Sequence, residues 1–246
     1  MTLDDLKNID FNNVAGWPLP VKIVGIGIIG YGYWGPNLAR NVAACATTQL
    51  VALCDRDPAR LDALGRQHPT AVITTEPDRL LTDPDVDAVA IATPVWTHFE
   101  LAKAALESGK HVLVEKPFAS SSEEASELLA LAAARGLVLM VDHVFLYSPP
   151  VRKLASLVGS GELGELLFID SVRINLGLLQ HDVNVMWDLA PHDLSIIDHV
   201  LGRSPRGVVA SGISHAPDGL ASVAYLHVDY GSVLASVHVN WLSPVK

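Results

Sequence analysis

The sequence predicts an α/β chain in two parts. A parallel sheet with helices on both faces is expected over residues 21–145, and an α+β part with a mainly antiparallel sheet over residues 146–246. Three observations predict this. From Val21 to about Phe145, short apolar runs alternate with amphipathic stretches, the pattern of βαβ units. A glycine-rich turn joins the first apolar run to the first amphipathic stretch. After "FLYSPPVRKL" the texture changes to isolated helices and strands of alternating polarity.

Composition bounds the rest. A chain of 246 residues can bury a large core and hold two domains. Half of it is hydrophobic and 18% charged, which fits a folded globule rather than a disordered chain. No apolar run approaches the roughly 18 residues of a membrane span, so no membrane partner is expected. The net charge of −10 argues against nucleic acid, because a phosphate backbone would be repelled on average. Two cysteines, Cys45 and Cys54, imply no disulfide framework, and a cytoplasmic location is the expectation. Residues 1–20, acidic early and without a basic-then-apolar pattern, read as a short leader.

The expected strands of the first part are Lys22–Ile29, Gln49–Cys54, Ala71–Thr74, Ala88–Ala92, His111–Glu115 and Val138–His143. Helices are expected over Pro36–Ala46, Pro58–Gly65, His98–Ser108 and Ser122–Arg135. Ser121 and Glu124 have capping-box spacing at the start of the last helix, and Gly136 stops it. The second part should hold helices at Val151–Gly159 and near Ala190–Leu201, a strand within "LLFIDSVRINLG", and strands at Ala221–Tyr230 and Ser232–Trp241.

The stretch "KIVGIGIIGYGYWGPNLARN" contains two overlapping copies of G-x-G-x-x-G. If Gly25, Gly27 and Gly30 formed the turn, the following helix would contain Gly32, Gly35 and Pro36. Two glycines cost roughly 1 kcal/mol each there and an interior proline about 3. With Gly30, Gly32 and Gly35 as the turn, the strand runs to Ile29 and Pro36 falls in the first helical turn, where its missing N–H does no harm. The three glycines then supply a tight turn, close backbone approach to a pyrophosphate, and close helix packing, while the helix amino terminus faces the phosphates. Asp55 ends the second strand twenty residues after Gly35 and suits the adenosine ribose hydroxyls, favouring NAD; Arg56 beside it keeps NADP possible.

The succession "GYGYWGPN", Asp55, "ATPVWTH" and "GKHVLVEKP" resembles the glucose–fructose oxidoreductase / inositol dehydrogenase (GFO/IDH/MocA) family. The stretch "LGLLQHDVNVMWDLAPHDLSI" is similar to its UDP-sugar 3-dehydrogenase branch. The resemblance spans about Val21 to the end. It implies a Rossmann domain that holds NAD(P), and an open-faced sheet domain that supplies the substrate site and contacts between copies in a homo-oligomer. Family members run on past this chain's end, so terminal strands of the second sheet are expected to be missing.

Site residues follow from position and resemblance together. Gly30, Gly32, Tyr33, Trp34, Gly35, Asp55, Arg56, Thr93, Pro94, His98, Glu115 and Lys116 are expected around the cofactor. Lys116 ends a parallel strand, where ligands of open α/β sheets bind, and can hydrogen-bond a substrate hydroxyl or act as a base; a surface lysine is the plain alternative. Pro117 admits a cis peptide. Asp188 and His192 share a helix face four residues apart. The resemblance implies His192 as acid/base and Asp188 as its partner or a substrate ligand, against the alternative that Asp188 only caps a helix. His98 is either near the cofactor or a helix-start residue without a chemical task. Tyr147, Arg173, Asn175, Gln180, Asp182 and Asn184 are expected to face a sugar, cyclitol or nucleotide-sugar substrate. The dense His/Asp region from His181 to His199 carries no H-E-x-x-H and no Cys/His ladder, so no metal is expected. The function expected is hydride transfer between a nicotinamide and a secondary alcohol or ketone; a non-catalytic NAD-binding regulator is the rival.

Overall fold

The computed structural model describes residues 22–176, 180, 182–215 and 219–244. The leader expected over residues 1–20 lies outside them, as does His181.

The first part alternates strand and helix: β1 (Val24–Ile29), α1 (Gly35–Ala44), β2 (Thr48–Cys54), α2 (Pro58–Gln67), β3 (Val72–Thr74), α3 (Asp78–Leu81), β4 (Ala88–Ile91), α4 (His98–Glu107), β5 (His111–Val114), α5 (Ser122–Arg135) and β6 (Leu139–Val141). The six strands form one sheet in the order β3-β2-β1-β4-β5-β6, every neighbouring pair parallel. The order reverses between β1 and β4, which opens a crevice at their carboxyl ends.

Helices cover both faces because neighbouring strand residues point to opposite sides. Ile28 and Leu53 pack with Ala39 of α1 and Leu64 of α2. Ile29, Ala52 and Cys54 pack with Leu80 of α3, Ala102 of α4 and Leu128 of α5. Fully burying each large aliphatic side chain contributes about 1.5–3 kcal/mol. Ser121 caps α5 by accepting from the Glu124 amide at 3.2 Å, while the Glu124 carboxylate reaches back to the Ser120 amide at 2.8 Å. Gly136 closes the helix at φ 63°.

The second part comprises α6 (Pro149–Gly159), β7 (Phe168–Ile174), α7 (Val185–Leu201), β8 (Gly207–Ile213), β9 (Val223–Asp229) and β10 (Leu234–Asn240). Its sheet runs β7-β10-β9-β8, antiparallel except for the β10–β7 pair. α7 covers one face, burying Val185, Leu189 and Ile197 with Ala224, Leu226, Val237 and Val239 of β9 and β10. The opposite face is open: Phe168, Val172 and Tyr225 are exposed there, and Tyr225 stacks on His238 at 4.3 Å.

Two expectations for the second part change. The helix expected near Ala190 starts at Val185, capped by the Asn184 side chain on the Trp187 amide at 3.1 Å. Asp188 therefore sits inside the helix and is no cap, and Pro191 lies in the interior. An interior proline costs about 3 kcal/mol, but the extra turn buries Val185 completely and Leu189 almost so, which offsets that cost. The second change is β8, where the sequence reading places no strand. "GVVASGI" is exposed along its whole length, so it lacks the alternation that marks a half-buried strand.

Candidate active site

The crevice begins at the glycine turn. Gly30 adopts φ +95°, and a Cβ there would lie 2.5 Å from the Ala92 carbonyl oxygen. A Cβ on Gly35 would come within 2.3 Å of the Gly30 carbonyl oxygen. Gly32 differs: a Cβ there meets nothing within 4 Å. Two glycines thus serve protein packing, and the middle one borders open space. Gly25 and Gly27 of the other copy lie within β1, where added Cβ atoms would strike the Asp85 carbonyl and the Leu80 side chain. No side chain caps α1, whose N-cap is Trp34; Tyr33 and Trp34 are exposed and meet edge to face at 5.5 Å. An uncapped helix start beside a bare glycine suits a diphosphate.

Asp55 is buried at the carboxyl end of β2. Its carboxylate accepts from the Tyr31 amide at 2.7 Å, the Asp57 amide at 2.9 Å and Arg60 Nη1 at 3.2 Å. Burial works against its charge, but the Asp57 and Tyr31 amides and Arg60 together hold the carboxyl below its ordinary range. A carboxylate has about four lone-pair sites, so one is left for a ribose hydroxyl. Arg56 is exposed beside it. These residues fit the adenosine half of a dinucleotide.

The other half of the crevice is walled by the exits of β4, β5 and β6. Thr93 and the exposed Pro94 lead into a single 3-10 turn at Val95–Thr97. His98, fully buried, places Nε2 2.8 Å from the Thr93 carbonyl and Nδ1 2.9 Å from the Pro117 carbonyl. It ties the β4 exit to the β5 exit, where the Lys116–Pro117 peptide is cis. Burial pushes its pKa down, against the pull of these carbonyls and of Asp182. Beside it, Glu115 follows Val114, whose strand partner Val141 precedes Asp142. Burial and the adjacent Asp142 carboxylate push Glu115 up to about 7.

The second part meets this wall at Lys116. Its Nζ donates to the Asp188 carbonyl and to Asp188 Oδ1, both at 3.0 Å, and both side chains are largely buried. Asp188 Oδ2 accepts from Trp241 Nε1 at 3.0 Å. His192, one turn further along α7, has no partner for its buried Nδ1 and stands edge to face with Phe145 at 4.9 Å. Burial, then the nearby charges of Lys116 and Arg173, push His192 down to about 4, outweighing Asp193 and Asp188. Arg173 is committed: Nε lies 2.6 Å from Asp193 Oδ2, and the guanidinium sits over Phe145 at 4.6 Å.

Of the other expected residues, Tyr147 is exposed with Arg152 over its ring, Asn175 donates its backbone N–H to the Asn240 carbonyl, Gln180 is half-buried and Asp182 exposed. Asn184 spends its side-chain oxygen on capping. Asp193 also accepts from Ser171, and Asp198 accepts from Tyr230. Among the described residues no group of three or more His, Cys, Asp or Glu is placed to hold a metal, and no helix is long and apolar enough to cross a membrane. Sequence reasoning missed Trp241, Asp142 and Arg60. Only Asp142 left a signal, as a second acid ending a strand beside Glu115.

A parallel sheet with a glycine turn at its switch point, joined to an open-faced sheet by a lysine–aspartate contact, defines a Rossmann-type protein with an appended α+β sheet. The chain belongs to the GFO/IDH/MocA oxidoreductase family, whose model, described as an oxidoreductase family with an NAD-binding Rossmann fold, matches residues 24–143. It is 39% identical over 217 residues to the uncharacterized oxidoreductase YdgJ of Escherichia coli (strain K12), covering 83% of this chain and 60% of YdgJ. It is 31% identical to the UDP-N-acetylglucosamine 3-dehydrogenase of Acidithiobacillus ferrooxidans, covering 84% of this chain and 64% of that enzyme. The crystal structure of GenD2 from gentamicin A biosynthesis, in complex with NAD, superposes with a TM-score of 0.86 at 25% identity, covering 92% of this chain and 68% of that one. The chain spans about three fifths of the length of the curated relatives it matches.

Proposed function

We propose that the protein is an NAD-linked dehydrogenase that interconverts a secondary alcohol and a ketone on a sugar, cyclitol or nucleotide sugar. The observation that carries this reading is the Lys116–Asp188 contact, which brings a donor from the parallel sheet and His192 from α7 to one end of the crevice. The turn at Gly30, Gly32 and Gly35 would hold the diphosphate and Asp55 the ribose, whose free 2′-hydroxyl an anionic Asp55 prefers over a phosphate. When bound, the nicotinamide accepts or delivers the hydride. The chain's own residues orient the substrate and move the proton. His192, pushed down to about 4, is neutral at pH 7 and can accept the hydroxyl proton through a ring nitrogen. Lys116 Nζ, held by Asp188, donates to the same oxygen as negative charge grows on it.

In this reading residues 21–145 form the cofactor domain and 146–246 the substrate domain. Copies meet through the open face of the second sheet, where Phe168, Val172 and Tyr225 are exposed. Both cysteines are free, which suits a reducing compartment. The test is NADH absorbance during incubation with a panel of sugars, cyclitols and UDP-sugars. Turnover of at least one is expected, and Lys116→Ala should abolish it while leaving NADH affinity nearly intact. Equal loss of both would make Lys116 a structural or cofactor-binding residue, and no turnover across the panel would remove the reading.

A further inference from the structure

Asp188 has two candidate partners in the site, and only one holds it. His192 lies one helical turn away on the same face, with Nδ1 buried and unpartnered. Lys116 comes from the other sheet, yet Asp188 Oδ1 is bonded to Lys116. The difference lies at the far oxygen. Trp241, 1% exposed just beyond β10, donates its indole N–H to Asp188 Oδ2 at 3.0 Å. The indole is a donor only, has one polar atom and turns about two bonds. Its backbone amide is itself fixed on the Ser222 carbonyl at 3.0 Å, and its ring packs in the cluster that contains Val185, Leu189 and Ala190 of α7. A carboxylate clamped through one oxygen by a rigid donor cannot turn freely.

We propose that Trp241 is a positioning residue that selects the partner of Asp188, pinning its carboxylate on Lys116 and away from His192. This rests on the reading of Lys116 and His192 as the groups that handle the substrate oxygen, and it deepens that reading by naming what keeps the two roles apart. Lys116 retains its counter-ion, and His192 is left to face Lys116, Arg173 and Asp193 without a bonded anion. If the indole N–H is lost, the Asp188 carboxylate is released toward the imidazole one turn along.

The test reads His192 directly by nitrogen-15 NMR of labelled histidine, assigned by difference from His192→Gln, with NADH affinity as the check on folding. In Trp241→Phe the charged fraction of His192 at about pH 5.5 should rise roughly tenfold, the equivalent of one pKa unit. The same rise should be absent when Asp188→Asn is also present, because the effect runs through that carboxylate. An unchanged fraction in Trp241→Phe, or a rise that persists with Asp188→Asn, overturns the proposal; the latter would mean that burial had merely loosened. Should Trp241→Phe fail to fold, benzothienylalanine at position 241 replaces the N–H by sulfur in a ring of nearly the same shape, with the same expected and overturning results. None of these measurements needs turnover, so a failed sugar panel and a failed selection by Trp241 are told apart.

Discussion

The two sheets bury their residues differently. In β4 of the parallel sheet, Val89, Ala90 and Ile91 are buried in succession, because helices lie on both sides. In β9 of the second sheet, Ala224, Leu226 and Val228 are buried while Tyr225, His227 and Asp229 between them are exposed. One sheet is closed by its own chain and the other half open. The crevice takes its rigid wall from the first and its ionisable helix, α7, from the second. The Lys116–Asp188 contact sits where a fully packed body meets a half-packed one.

The contact that joins them should show the largest effect. Asp188→Ala leaves the Lys116 ammonium and the Trp241 indole without their shared acceptor, and should lower unfolding free energy by about 3 kcal/mol. Denaturant titration measures it, and a loss below about 1 kcal/mol would mean that the two sheets do not depend on this contact.

Within the closed sheet, two glycines sharpen the contrast between packing and binding. Gly30→Ala forces a Cβ at φ +95° to within 2.5 Å of the Ala92 carbonyl, and should cost about 2 kcal/mol and abolish NADH binding. Gly32→Ala meets open space, so stability should move by less than about 0.5 kcal/mol while NADH affinity falls about tenfold or more. Thermal unfolding beside fluorescence titration separates the two. Equal behaviour would mean that the turn serves packing alone.

The two sheets also oppose each other in pH. Glu115, raised to about 7 by burial and Asp142, stabilises the fold fully below its unfolded value near 4.5, and that contribution is lost as pH rises through 7. His192, lowered to about 4 chiefly by burial, stabilises the fold above its unfolded value near 6.5, and that contribution is lost as pH falls through 4. The slopes cancel in part between about pH 4.5 and 6.5. Glu115→Gln should therefore leave stability rising more steeply with pH across that window, and a slope unchanged from the parent would place the Glu115 proton elsewhere. The smallest effect belongs to the start of α7: Asn184→Ala removes the cap on Trp187 and should cost about 1 kcal/mol.

Legibility followed the same division. The turn at Gly30–Gly35 and the Ser121 cap were readable because steric and capping rules act over a few residues. The start of α7 was not, since Pro191 signals a helix beginning and only burial of Val185 against the second sheet overrides it. Asp188 and His192 invited pairing because spacing places them on one face. The partners Asp188 has instead are Lys116, 72 positions away, and Trp241, 53 positions away, and no local pattern announces such bonds.

The His98 imidazole bridges two loops of the crevice wall. An uncharged ring owns a single N–H, yet His98 faces carbonyl oxygens on both sides. A neutral ring can donate to only one of the Thr93 and Pro117 carbonyls and a protonated ring to both, so the proton count of this one side chain sets how many bonds span the β4 and β5 exits.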